Sequence, residues 1–219
     1  PKHNASLAQG FGFGRRADYT TGHGLCGGVG WLADGGGHDS YSCGVFGQGG
    51  GYWYGVGWLT DLGGNDTYLG VWYVQGAAAH FAWGGLLEAE GNDRYEATRN
   101  MAQGAGHDFS LGTLTDLAGD DTYLAPNLSL GAGNANGVGL CLDAGGNDRY
   151  QAANGVNLGQ ARTADPQSLA GSPRKVITSL GLFVDQGGRD EYPRDQCGDG
   201  RTWTDRQDGT AARGAGVDR

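Results

Sequence analysis

Apolar positions in this chain return at one long, fixed interval rather than at the three-to-four spacing of a helix face. Six segments align without a gap: GWLADGGGHDSY (30–41), GWLTDLGGNDTY (57–68), GGLLEAEGNDRY (84–95), GTLTDLAGDDTY (112–123), GLCLDAGGNDRY (139–150) and GLFVDQGGRDEY (181–192). Their closing tyrosines, Tyr41, Tyr68, Tyr95, Tyr123, Tyr150 and Tyr192, stand 27, 27, 28, 27 and 42 residues apart. The third position is apolar in every copy: Leu32, Leu59, Leu86, Leu114, Cys141 and Phe183. Between the turns lie short stretches rich in Val, Trp, Tyr, Phe and Leu, bounded by glycines, and the alanine-rich stretch 76–80 is too short for a helix. A unit of this length fits one coil of about three short strands. Such a unit buries no hydrophobic face alone, so the coils must stack. The pattern therefore predicts an all-β fold, a parallel β-solenoid or β-helix of about six ~27-residue coils with partial coils at both ends. Its third-position residues and tyrosines then form core ladders at ~4.8 Å spacing, with Cys141 as a small core hydrophobe.

A second signature follows each tyrosine: Gln48-Gly49, Gln75-Gly76, Gln103-Gly104, Leu130-Gly131 and Leu158-Gly159. Gln9-Gly10 matches it ahead of the first full copy, and Gly214–Asp218 aligns with Gly181–Asp185 as the start of a seventh. The expected organisation is one solenoid domain over 1–192 and a segment, 193–219, that runs into the seventh repeat. A polar loop insertion at about 161–176, carrying Pro166 and Pro173, accounts for the longest gap. On this reading the chain is a piece of something longer.

Composition sharpens the picture. Forty-six glycines among 219 residues cost backbone entropy unless many positions need tight turns or close backbone approach. A net charge of −9 disfavours nucleic acid and anionic membrane surfaces as partners. No apolar run approaches the ~20 residues of a membrane-spanning helix, so membrane insertion is not expected. The cysteines, Cys26, Cys43, Cys141 and Cys197, form no C-x-x-C pair and have no histidine at zinc spacing. Buried or idle thiols are favoured over a Cys26–Cys43 disulfide.

The candidate chemistry lies in two acidic columns. The fifth motif position is Asp34, Asp61, Glu88, Asp116, Asp143 and Asp185; the tenth is Asp39, Asp66, Asp93, Asp121, Asp148 and Asp190. Stacking puts like charges about one strand spacing apart, where a pair at an effective dielectric of ~20 repels by roughly 3.5 kcal/mol. Splayed into water the columns are cheap; partly buried they are costly. Calcium resolves the costly case, because it takes 6–8 oxygens in a tolerant geometry. The competing reading is metal-free: acids in glycine turns that only accept hydrogen bonds from the backbone two residues on.

The turns Gly63-Gly64-Asn65-Asp66-Thr67-Tyr68 and Gly145-Gly146-Asn147-Asp148-Arg149-Tyr150 resemble the calcium-binding nonapeptide repeats of the hemolysin-type (RTX) family. The resemblance implies a parallel β-roll, calcium held between successive turns by the tenth-position aspartates and nearby glycine carbonyls, and secretion. Only one corner per coil matches, and the fifth-position acid lies outside that family's motif. The expected function is a calcium-stabilised extracellular or cell-surface structural or adhesion module, with glycan or neighbouring subunits as partners on the solenoid face. Six such uniform copies contain no unique acid–base constellation, so an enzyme is not expected. The runner-up is a carbohydrate-binding or polysaccharide-degrading β-helix using Tyr52, Trp53, Tyr54, Trp72, Tyr73, Phe81 and Trp83, although alternate members of that group are expected to fill the core. His80 and His107 each lie 12 residues past a tyrosine and are expected as neighbouring polar surface residues rather than a metal site.

Overall fold

A computed structural model describes residues 4–17, 24–163, 171–193, 197–207 and 210–219. The motif strands Val29–Ala33, Val56–Asp61, Trp83–Glu88, Leu111–Asp116, Val138–Asp143, Ser179–Asp185 and Ala212–Asp218 run parallel in one sheet. A second parallel sheet holds the tyrosine strands Ser40–Ser42, Thr67–Gly70, Arg94–Ala97, Thr122–Ala125 and Arg149–Ala152. A third is built from two-residue corner strands: Gly12–Phe13, Gly51–Tyr52, Ala78–Ala79, Gly106–His107, Gly133–Asn134 and Ala161–Arg162. Together they make a parallel β-solenoid of about five turns with a ~27-residue period. Among the described residues of the sixth copy, the tyrosine sheet gains beyond Tyr150 only an isolated bridge, Arg149 to Glu191.

Register follows the sequence alignment. Leu59, Leu86, Leu114, Cys141 and Phe183 stand opposite one another in the motif sheet, and all are buried. The tyrosine rings from Tyr41 to Tyr150 stack face to face, with centroids 4.8–5.0 Å apart and planes within 14°. That separation is one strand spacing, so the backbone ladder and the ring stack share a single pitch. The buried amides of Gln48, Gln75 and Gln103 explain the second signature: each Nε2 donates to its own coil's tyrosine carbonyl and to a carbonyl of the next coil. They satisfy backbone acceptors that the turn leaves inside.

Two glycine columns are fixed by close approach. At the eighth motif position, a Cβ on Gly64, Gly91, Gly119 or Gly146 would be driven into the carbonyl oxygen of the matching glycine one coil back. At the first position, a Cβ on Gly112 or Gly139 would strike the carbonyl of Ala105 or Ala132 across the narrow interior.

Ala212–Asp218 pairs with Ser179–Asp185 in the predicted register. The strand Thr202–Arg206 then covers its outer edge in the antiparallel sense. Trp203 lies over Gly216, where the third-position column lacks a side chain, and its Nε1 donates to the Leu158 carbonyl at 3.0 Å. Ala161–Arg162 still belongs to the corner sheet, and 164–170 lie outside the described residues. After them a 3-10 turn, Pro173–Val176, is held to the solenoid by Asn136, whose Nδ2 donates to the carbonyls of Arg174 and Ile177. None of the four cysteines is in a disulfide; Cys141 is buried and Cys26 exposed.

The steric argument predicts that Gly119→Ala abolishes cooperative thermal unfolding or lowers the melting temperature by more than 10 °C, from a loss of about 4 kcal/mol or more. Gly35→Ala, where no heavy atom lies within 4 Å of the new Cβ, is expected to shift stability by less than ~0.5 kcal/mol. Equal effects at the two sites in a calorimetric scan would contradict the packing.

Candidate cation site

From the second copy on, each motif strand ends on its fifth-position acid, and the glycine turn beyond it brings the tenth-position acid back to the same place. The result is a file of carboxylate triads: Asp34, Asp39 and Asp61; Asp61, Asp66 and Glu88; Asp93, Asp116 and Asp121; Asp121, Asp143 and Asp148; Asp148, Asp185 and Asp190. Within each triad one oxygen from every residue lies within 4.8 Å of the others. All twelve acids singled out from the sequence are members. Nine of them are buried: Asp61, Glu88, Asp116, Asp143 and Asp185 have no exposed surface, and Asp66, Asp93, Asp121 and Asp148 are at most 3% exposed, whereas Asp34, Asp39 and Asp190 at the ends of the file are half-buried.

The two columns have different partners. At the fifth position, Oδ1 accepts the backbone N–H two residues on, as in Asp61, Asp116 and Asp143, each at 3.2 Å. Oδ2 accepts a tyrosine hydroxyl, usually from the coil before: Tyr41 to Asp61 at 2.5 Å, Tyr95 to Asp116 at 2.6 Å and Tyr123 to Asp143 at 2.8 Å. Tyr192 closes the series on Asp185 of its own coil at 2.7 Å.

At the tenth position, Oδ1 accepts the backbone N–H of the matching residue one coil back, at 2.5–2.7 Å from Asp39 through Asp148. The turn-cap reading, a bond from the backbone two residues on, describes Oδ1 of the fifth-position acids; at the tenth position the bond to Oδ1 ties one coil to the next instead. That bond leaves the other oxygen unaccounted for: Oδ2 of Asp66, Asp93, Asp121, Asp148 and Asp190 is buried with no hydrogen-bond partner. A buried carboxylate oxygen in that state carries its full desolvation cost unless a proton or a cation reaches it. Of the glycine carbonyls implied as ligands by the RTX resemblance, those of Gly63 and Gly145 accept N–H groups of Gly37 and Gly119.

Burial is the largest cause acting on these acids, and the carboxylates above and below add to it. Glu88 is pushed up to about 9, Asp93 and Asp185 to about 7 and Asp190 to about 6. Asp116, Asp121, Asp143 and Asp148 are also driven above the usual carboxylate range. Burial and the same carboxylates hold the phenols of Tyr95 and Tyr123 far above their ordinary value, so they remain protonated donors.

Sequence reading missed two parts of this site. The ninth position forms an outer ladder, in which the side chains of His38, Asn65, Asn92, Asp120 and Asn147 accept the backbone N–H of the next coil at 2.7–3.1 Å. The tyrosine column also has a polar role besides its core packing. Its signal was available, since six tyrosines and no phenylalanine at one buried position imply that each hydroxyl has a partner.

The other candidates fall out differently. Of the aromatic group, Tyr52 and Tyr73 are half-buried and pack against the core cluster of Ala77, Ala79 and Met101, whereas Tyr54, Trp72, Phe81 and Trp83 are exposed, so the expected inward turn holds for part of the group. Tyr54, Phe81 and Phe109 stack on one another at 5.0 and 5.1 Å, which turns ring faces inward along the stack and leaves edges to solvent. His80 and His107 do not share a register position. The coil from Tyr95 to Tyr123 has one extra residue before Gln103, so Ala79 pairs with His107 and His80 meets Asp108, with Nδ1 2.6 Å from Oδ2. The rings are 5.5 Å apart, His80 is 8% exposed, and Arg174 pairs with Asp108 from the other side. This is a buried polar clasp rather than a surface pair.

The raised carboxyls fix the sign of a pH effect. Unfolded, these groups lose their protons near pH 4, whereas the folded metal-free chain keeps them until pH 6–9. The native state then binds more protons, and stability falls as pH rises through that window. In chelator, the melting temperature is expected to decline steadily from pH 5 to pH 9; a flat or rising profile would show that the column is not buried in solution. Comparisons of the chain with protein-family models, with curated proteins and with solved structures find no match, so the chemistry of this file of carboxylates is what speaks for the protein's role.

Proposed function

We propose that the carboxylate file binds divalent cations, calcium foremost, and that the chain is a calcium-stabilised structural or adhesion module working outside the cell or at its surface. The observation that carries this reading is the row of buried aspartate oxygens without partners, grouped in threes along the axis. Two Ca–O bonds of about 2.4 Å span the oxygen separations within a triad. Magnesium demands a near-ideal octahedron and sheds its water reluctantly, which suits a dry, carboxylate-only cleft less well. Calcium sites of extracellular modules operate at about 10⁻⁴–10⁻³ M, and the likeness of the turns to hemolysin-type repeats accords with that setting. No described helix is long and apolar enough to cross a membrane.

A role in contact rather than catalysis is supported by the outer face of the motif sheet. Val29, Trp31 and Trp83 are exposed there, with Trp31 at 73%. Trp58 sits beside Trp31 in the ladder and meets Trp83 edge-on at 5.3 Å. A glycan or a neighbouring subunit is the partner such a face would take.

The test is thermal unfolding at pH 8 with calcium or with chelator. A site held at 100 times its Kd adds about 2.7 kcal/mol, which raises the melting temperature of a chain this size by roughly 5–10 °C. Calcium is expected to give at least that rise and sodium none. Asp121→Asn should remove much of the calcium increment while leaving the chelated protein as stable or more so. A melting temperature indifferent to calcium would dismiss the proposal.

A further inference from the structure

The repeat is broken at one acid. Position five is aspartate in five copies and Glu88 in the third. Its Cα stays in register with Asp61 and Asp116, so the extra methylene carries the carboxylate beyond the place its neighbours occupy. The local bonding changes accordingly. Tyr41, Tyr95 and Tyr123 each donate to the fifth-position acid of the next coil, but the hydroxyl of Tyr68, which would reach Glu88, is buried without a partner. Both oxygens of Glu88 are likewise buried and unpartnered, and so are Oδ2 of Asp66 and Oδ2 of Asp93. Five oxygens are thus orphaned around one side chain that has no exposed surface, and Glu88 shares a triad with Asp61 and Asp66.

Resting on the cation reading above, we propose that Glu88 makes the cleft between the second and third coils a distinct, higher-affinity calcium site that discriminates against magnesium. At Asp61, Asp116 and Asp143 one oxygen is held by tyrosine and the other by the turn, so neither is fully available to an ion, and at Asp185 only Oδ1 is without a partner. Glu88 offers both oxygens at once. A bidentate carboxylate suits calcium's larger, irregular shell and fits poorly into the compact octahedron of magnesium. Asp61 and Asp66 supply the remaining charge from the same triad. The other triads then form a weaker, more uniform class.

Calorimetric titration of the full chain with calcium chloride at pH 8 decides the matter, compared with Glu88→Asp and Glu88→Gln. Aspartate at this position matches the other five copies, so the variant is expected to fold. The wild type should show two classes of site, the tighter one persisting in millimolar magnesium. Glu88→Asp should lose at least about tenfold in the tight class and merge it with the rest. Since Tyr68 would regain an acceptor, the same variant should melt higher than wild type in chelator and gain less from calcium. Glu88→Gln should lose the tight class too. Two classes surviving in Glu88→Asp, or a tight class that magnesium displaces equally well, would overturn this inference while leaving the cation file intact. No binding in the wild type would overturn both.

Discussion

The structure depends on how a file of like charges is tolerated inside a β-stack. Strand spacing sets the repeat along the axis, and the acids of successive coils cannot move apart without breaking the backbone ladder that pairs them. Two ionised neighbours at that distance repel by roughly 3.5 kcal/mol at an effective dielectric of ~20. A stacked tyrosine pair returns only ~0.5–1.5 kcal/mol beyond the area it buries. The aromatic core therefore cannot hold a fully ionised column together; protons or cations must sit among the carboxylates. Every other feature of the cleft is consistent with that demand.

The tyrosines connect the two halves of the problem. Their rings provide the core ladder, and their hydroxyls reach across one coil to the acids that close the motif strands. The glycine turn brings fifth- and tenth-position acids together, and the eighth-position glycines allow successive turns to approach backbone to backbone. Each tenth-position aspartate then has two roles in one side chain: one oxygen ties adjacent coils, and the other faces its fellow carboxylates.

Much of this was legible in the residues. The period, the register and the membership of both acid columns follow from gapless alignment, because a stacked coil repeats its environment and hence its residue types. What the alignment hid were relations that cross coils or depart from the repeat. The hydroxyl of Tyr95 bonds Asp116, a residue of the following copy, and nothing within one motif reveals that direction. Glu88 looked like a conservative member of an acidic column, although one methylene alters the bonding around it. Counting from Tyr95 placed His107 level with His80, because an added residue before Gln103 is invisible to a count from the tyrosine. Trp203 lies in a segment unlike the repeat, yet its ring fills the core where Gly216 leaves a gap. Among the aromatics of which alternate members were expected to turn inward, Tyr52 and Tyr73 pack against the core, whereas Trp53, Tyr54 and Phe81 occupy corners with positive φ and remain unburied.

The longer coil has a meaning for assembly of the chain itself. A stack of near-identical copies is prone to pair each strand with the wrong copy, since a slip by one whole repeat would still match leucine with leucine and tyrosine with tyrosine. The added residue between Tyr95 and Gln103 breaks that degeneracy. Only in the observed alignment does His80 meet Asp108 while Arg174, arriving from far along the chain, reaches the same carboxylate. The irregular coil thus serves as an address, telling otherwise interchangeable strands which neighbour is theirs.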